Sequence, residues 1–339
     1  MPYPPNHNVL KSQLLNDISI AVRFGLENDV FLGRNELTGD ALHALLGWIN
    51  LLTASFPGDN ERLFLSMLLR KILHHESIKR KPGVPSISSK DWDIILQDWP
   101  FAQENKIWKA CPVRKVKKPN GIKKDCVRGG YSCALWLLFH TLSVSSTTGG
   151  MSSEKTAVAI HGFIKHFFNC NECRNNFIRN NPDPESMLVT QRFHSNSKRH
   201  ALLLWLWNEH NTVSMRLLRE HPSEPRAVFP THNHCPSCRL QNQPTRAEVS
   251  FALSFFPKAK TLQLTEDKKS WKLENIIRFI KAAYCFDDSV LSCPHHHNTG
   301  TASVATDSGS AFTFLVLAFF GILFAGLKLL GQKLNKKVH

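Results

Sequence analysis

Phe167-Phe168-Asn169-Cys170-Asn171-Glu172-Cys173-Arg174 is the stretch on which the fold turns. Two cysteines spaced Cys-x-x-Cys lead into a segment stopped by Pro182 and Pro184, so the run reads as a short helix starting at the cysteine pair, with Asn169 as its N-cap. A cysteine at a helix start faces unpaired backbone N–H groups and the positive end of the helix dipole, which favour the thiolate, the reactive form. So close a pair also allows a reducible disulfide. The spacing alone serves equally as a zinc half-site or a structural bridge. What lies on either side narrows the choice.

Upstream, Cys133-Ala-Leu-Trp136-Leu-Leu-Phe-His140 opens a helix that continues to Val144. A Ser/Thr/Gly loop covers 145–153, and 155–168 reads as a second helix. Downstream, 200–219 is a long helix and 222–236 a loop. Trp136 and His140 lie four apart, on one face with Cys133. Trp207, Asn211 and Ser214 share a face of the long helix, and His210 adjoins it. Aromatic faces can stack on a flat heterocycle, and His and Asn groups can hydrogen-bond ribose, pyrophosphate or ring edges. Taken singly, each is also an ordinary core residue. Further out, residues 9 to 76 carry apolar positions near helical spacing (Leu10, Leu14, Leu15, Ile18; then Leu42, Leu45, Leu46, Trp48, Ile49, Leu52), broken at Pro57-Gly58-Asp59. This is a helical packing module without visible chemistry. Residues 79–89, basic and containing proline, read as a linker, and strand signals are weak throughout.

The chain has 339 residues, ordinary globular composition and a formal charge of +15. Much of the excess sits in local runs at 79–81, 114–124 and 328–337, which read as solvated loops or a membrane flank. No basic helix interleaved with aromatics is present, so no nucleic-acid partner is expected. Nine cysteines point to an oxidising compartment or to metal, and the odd number leaves the pairing of Cys126, Cys285 and Cys293 open. Residues 311–327 read AFTFLVLAFFGILFAGL without a charge, so 311–330 is expected to cross a membrane, with the lysine-bearing tail 331–339 in the cytosol. The polar stretch 287–310, including His295-His296-His297, reads as a tether, and no metal site is assigned to it. The first residues lack a signal peptide's basic and apolar regions, although the cysteine-rich body suits a secretory lumen. The expectation is therefore an upstream segment carrying the signal, and a body that is luminal or extracellular on a Golgi, ER or cell-surface membrane.

Trp136-Leu-Leu-Phe-His140, then Phe167-Phe168-Asn-Cys170-Asn-Glu-Cys173, then Trp207-Asn-Glu-His210-Asn211-Thr-Val213, then Cys235-Pro-Ser-Cys238, resembles the Erv-type flavin domain, in the form found in the quiescin sulfhydryl oxidase family. The resemblance covers about residues 10–285. It implies an all-α protein: a helix-rich module over 1–100, an FAD-binding four-helix bundle over 101–286, then the tether and membrane helix. It implies oxidation of thiol-containing proteins or small dithiols, with oxygen reduced to hydrogen peroxide. Carried over by position, Cys170 exchanges disulfides with the substrate and Cys173 faces the flavin. Arg128, Trp136, His140, Glu172, Trp207, His210, Asn211 and Ser214 form the implied FAD-binding set. The resemblance also implies structural disulfides Cys111–Cys133 and Cys235–Cys238.

Several positions depart from the family pattern. Glu172 replaces an Asp inside the active pair, Asn176 a His three residues beyond it, and Ser214 a second Asn in the His-Asn motif. Thr231 stands where a Lys is expected, in a loop that also lacks the family's Trp. A basic insert with Cys126 separates Cys111 from Cys133. The thioredoxin-like module that feeds electrons in the family is not seen before residue 1, so a small dithiol should be oxidised well and unfolded proteins slowly, with a separate thioredoxin-like donor helping modestly. Two rival readings remain at this stage. One is a catalytically inactive homologue serving as a membrane scaffold. The other is a zinc-binding membrane adaptor using Cys170, Cys173, Cys235 and Cys238.

Overall fold

The computed structural model describes residues 11–75, 78, 85–101, 107–116, 126–128, 130–188, 198–220, 228–231, 234–239 and 271–286. The chain divides into two units, Met1–Pro294 and His295–His339, and all of these residues belong to the first. The tether, the expected membrane helix at 311–330 and the tail lie outside the described residues. Among the described residues no helix is long and apolar enough to cross a membrane.

The fold is mostly helical. Lys11–Phe24 (α1), Gly39–Ser55 (α2), Asp59–Leu73 (α3) and Ser89–Leu96 (α4) come first. Tyr131–Ser145 (α5), Ser153–Phe167 (α6), Asn171–Asn180 (α7), Ala201–Glu220 (α8) and Leu273–Tyr284 (α9) follow. One core runs through both groups, from Leu14 to Cys285, with no break in packing at position 100. α1 lies along α5, and α2 lies along α6. The second contact is tight because Gly162 of α6 faces Ala44: a Cβ on that glycine would come within 3.2 Å of the alanine methyl. Trp48 of α2 stacks on Phe163 of α6 with centroids 4.4 Å apart.

A buried carboxylate ties the early helices to the later ones. Asp17 of α1 is wholly buried. It accepts the backbone N–H groups of Lys109 and Ala110 at 2.8 Å each and of Cys111 at 2.6 Å. Three charge-assisted bonds offset its desolvation. They also fix Cys111 where it pairs with Cys133, near the start of α5, with Cα atoms 5.8 Å apart.

Two short antiparallel ladders supplement the helices, where strand signals in the sequence were weak. Glu36–Thr38 (β1) pairs with Ser86–Ser88 (β2), and Arg114–Val116 (β3) pairs with Cys126–Arg128 (β4). The expected linker at 79–89 thus ends in a strand, and Ser88 then caps α4 in a reciprocal capping box with Asp91. A second correction concerns α7. Its N-cap is Cys170, not Asn169, because the Cys170 sulfur lies where it accepts the Cys173 N–H.

Candidate functional site

Cys170 and Cys173 form a disulfide with Cα atoms 5.1 Å apart, at the N-terminus of the ten-residue α7. Both are half-buried. The Cys173 N–H donates to the Cys170 Sγ at 3.2 Å, and the Cys170 carbonyl accepts the Arg174 N–H at 2.8 Å. Upon reduction, the same N–H and the helix dipole stabilise a Cys170 thiolate. Glu172, inside the pair, is exposed and turns to Arg216 of α8 at 3.5 Å. Arg216 lies six residues beyond His210, about 9 Å along the helix axis. The pair and the α8 motif therefore occupy one neighbourhood.

That motif faces α5. The His140 Nε2 and His210 Nδ1 are 3.1 Å apart and share one proton, the roles depending on tautomer. Trp136 lies parallel to His210 at 4.4 Å, with 10° between the planes. Tyr284 of α9 lies on the opposite partner, parallel to His140 at 4.6 Å. Burial holds both histidines neutral: it depresses His140 well below its usual value, with His210 adding to the effect, and it depresses His210 to about 3. Burial raises the Tyr284 hydroxyl far above the ordinary phenol range. His140 Nδ1 is fully buried, without a hydrogen-bond partner among the described residues. A buried ring nitrogen left unsatisfied costs about 1–3 kcal/mol, so a polar ligand group reaching it would be stabilised there.

Asn211 and Trp207 are buried, and they grip the backbone of a distant residue. Asn211 donates from Nδ2 to the Phe229 carbonyl at 2.8 Å and accepts the Phe229 N–H on Oδ1 at 2.7 Å. The Trp207 indole N–H donates to that same carbonyl at 2.7 Å. Both polar ends of the Asn211 amide are thus committed to Phe229, whose ring packs against His140, His210 and Tyr284. Ser214 is buried on the same face. Arg128 pairs through its backbone with Arg114, and its side chain lies outside the described residues.

Cys235 and Cys238 also close a disulfide, with Cα atoms 5.3 Å apart. Cys285 is disulfide-bonded as well. With their sulfurs joined in two separate bonds, Cys170, Cys173, Cys235 and Cys238 present no thiolates to a zinc ion. Among the described residues no other group of three His, Cys, Asp or Glu side chains could hold a metal. Sequence reasoning assigned no site role to Phe229, Trp271 and Tyr284. For Tyr284 a signal existed: Ile276, Ile277, Ile280 and Tyr284 recur at helical spacing and are all buried in α9.

Residues 133–246 match the Erv1/Alr family. Over these residues the chain is similar to an Erv1/Alr domain. It is 29% identical over 252 residues to Sulfhydryl oxidase 1 of Oryza sativa subsp. japonica, a match covering 70% of this chain and 44% of that protein. It is 34% identical over 183 residues to Sulfhydryl oxidase 1 of Gallus gallus, covering 48% of this chain and 24% of the relative. The chain therefore spans less than half the length of these relatives. In structure it resembles the sulfhydryl oxidase fragment of human QSOX1, with a TM-score of 0.56 and 24% identity over 80% of this chain and 94% of that one. This likeness extends the shared fold from the Erv1/Alr domain to the helices that precede it.

Erv1/Alr domains imply FAD, and the residues present fit it. The orphaned His140 Nδ1 supplies a hydrogen-bonding group at a buried position. Trp136 and Tyr284, stacked on His210 and His140, supply aromatic rings of the kind that would line a flat heterocycle. Asn211 and Trp207 act one step back, fixing Phe229 against these rings.

Proposed function

We propose that this chain is an FAD-dependent thiol oxidase that converts dithiols to disulfides and reduces oxygen to hydrogen peroxide, tethered by 311–330 to a secretory-pathway membrane with its body on the luminal or extracellular side. The observation that carries the reading is the half-exposed Cys170–Cys173 disulfide on the N-terminus of α7, tied through Glu172 and Arg216 to the helix that bears His210. The relatives' names support the reaction class. FAD, when bound, supplies the two-electron acceptor between the cysteine pair and oxygen. Trp136, His140 and His210 would hold it, with Phe229 and Tyr284 packed against the two histidines. A substrate thiolate attacks the Cys170 Sγ, and the electron pair of the broken S–S bond leaves on Cys173. The Cys173 N–H then lowers the basicity of the Cys170 sulfur, so that it departs readily when the substrate's second thiolate resolves the mixed disulfide. His140 and His210, neutral and buried, orient the cofactor and add no charge to its site.

The direct test is the optical spectrum of the purified protein. A flavin band that bleaches on adding dithiothreitol and returns in air supports this reading. A colourless protein that takes up zinc supports the metal-binding alternative.

A further inference from the structure

Arg34 and Arg174 converge on the turn that leads into Cys170. Arg34 stands in the loop before β1 and donates from Nη2 to the His166 carbonyl at 2.7 Å, with its guanidinium over the Phe167 ring at 5.5 Å. Arg174 follows Cys173 and donates from Nη1 to the Phe168 carbonyl at 3.3 Å and from Nη2 to the Asn171 Oδ1 at 2.6 Å. Two guanidiniums thus hold carbonyls at the C-terminal end of α6, immediately before the redox pair.

A structural account covers only part of this. One cation at a helix C-terminus is favourable through the dipole. A second adds repulsion: the Arg34 pKa is lowered, first by burial and then by the charge of Arg174. Neither arginine is ion-paired with a carboxylate among the described residues. Lys165 adds a further exposed cation on the last turn of α6. The acidic groups nearby are few. Glu172 and Glu220 share Arg216, at 3.5 and 3.7 Å, and Asp40 acts on His166 against the effect of Lys165 and Arg34. The approach to the disulfide is therefore flanked by anchored positive charge in excess of what its own carboxylates balance.

We propose that Arg34 and Arg174 form a fixed cationic collar that makes Cys170–Cys173 selective for anionic dithiols, specifically acidic peptides bearing a cysteine pair. The proposal rests on the thiol-oxidase reading and names its substrate class. The attacking species is itself an anion, and carboxylates flanking it add to the attraction. In the exchange the substrate thiolate bonds to the Cys170 Sγ while the Cys170–Cys173 bond breaks and Cys173 leaves as thiolate. The second substrate thiolate attacks the substrate sulfur of the mixed disulfide and expels the Cys170 thiolate. The substrate loses two electrons, the pair gains them, and the two thiol protons pass to solvent.

The test uses the full chain and two synthetic peptides with the same cysteine pair, flanked by glutamates in one and by lysines in the other. The readout is the rate of reduction of Cys170–Cys173, followed by quenched alkylation and mass spectrometry, so it needs no turnover through flavin. The glutamate peptide should react about tenfold faster than the lysine peptide at low salt, within the range electrostatic steering gives. The preference should collapse in about 0.5 M sodium chloride, where the Debye length is about 4 Å. Arg34→Gln and Arg174→Gln should each cut the ratio at least about threefold, Arg34→Lys should retain most of it, and the rate with dithiothreitol, whose thiolate carries no flanking carboxylates, should fall less than the rate with the glutamate peptide. A wild-type ratio below about two, or a ratio unmoved by both glutamine variants, overturns the proposal. Should Arg34→Gln fail to fold, Arg174→Gln and the salt series on the wild type decide it. Reduction by dithiothreitol without subsequent oxygen uptake would instead count against the thiol-oxidase reading, leaving the charge preference separately measured.

Discussion

Cys170–Cys173 and Cys235–Cys238 share a spacing, and both are closed disulfides. Their surroundings differ in each respect that governs reactivity. The first pair is half-buried at the start of a ten-residue helix, and its inner N–H points at a sulfur. The second is buried, with Cys235 7% and Cys238 0% exposed, on a single 3-10 turn. Its inner N–H is spent on the Cys235 carbonyl at 3.1 Å, and the Cys238 carbonyl accepts the Lys272 N–H at 2.9 Å. α9 packs over this turn, and Trp271 sits beneath the Arg239 guanidinium at 4.2 Å. The motif therefore does not decide which pair exchanges electrons. Access, and what the backbone offers the sulfur, favour the first pair under the proposed reading.

The contrast is broken most directly by substitution. Cys170→Ser or Cys173→Ser should lower thiol-dependent oxygen uptake at least about 1,000-fold, because removing one member of a covalent relay removes the path. Flavin absorbance should persist in both. Replacing Cys235 and Cys238 together by alanine should leave turnover per folded molecule within about threefold, since a buried bridge carries no incoming substrate. An oxygen electrode and the flavin spectrum check both. Loss of turnover in the Cys235/Cys238 variant would make that pair a relay and erase the distinction.

Selective reduction sharpens the comparison without mutation. Under a limiting dithiol, Cys170 and Cys173 should be alkylated about 100-fold faster than Cys235 and Cys238, the usual consequence of burial and of poor leaving-group stabilisation. Peptide mapping reads the two rates in one sample. Comparable rates would mean that α9 lifts readily from the second pair.

How much of this was legible beforehand differs between the two regions. Helices α5, α6 and α8 follow from their apolar residues and α7 from its start and stop signals, and the grouping of Trp136, His140, Trp207, His210 and Asn211 follows from helical spacing. Which of them faces a ligand does not. Asn211 and Trp207 commit their polar atoms to Phe229, across a loop that no local pattern connects to α8. The cap of α7 was misplaced by one residue because Asn169 is the better capping residue by composition, while in the structure a sulfur takes that role. α9 has no assignment in the sequence reading, although its isoleucines carry the helical period. The Asp17 tie is invisible locally: its partners are backbone N–H groups far along the chain.

The two regions should also differ in what they contribute to stability. Removing the Cys235–Cys238 bridge should destabilise the fold by about 2 kcal/mol, the loop-entropy value for so short a closure, seen as a lower melting temperature in the double alanine variant. Cys170→Ser should cost less, because a half-exposed pair at a helix start leaves little packing behind when opened. Equal losses would show that the exposed pair is as much a staple as the buried one.

The smallest effect expected is in the pH dependence of the buried region. His140 and His210 have folded-state pKa values below the ordinary histidine value, His210 at about 3. An unfolded chain binds protons at these sites near pH 6.5 while the native one does not, so the unfolded state gains as pH falls. Their stabilising contribution is thus complete above about pH 6.5 and is lost progressively on acidification, for His210 down to about pH 3, at roughly 1 kcal/mol per pH unit for each group. Urea unfolding between pH 7 and pH 4 measures the slope. His210→Phe, which keeps an aromatic ring against Trp136 and cannot titrate, should remove one histidine's share, whatever its effect on flavin. The loss should register first where these rings pack, at Phe229 and Tyr284, and so at α9 and the pair it covers. Hydrogen exchange at pH 5 should therefore show α9 deprotected before α7. A flat stability profile, or α7 opening first, would mean that the histidines meet water in the native state and that the burial contrast between the two cysteine pairs is weaker than the packing implies.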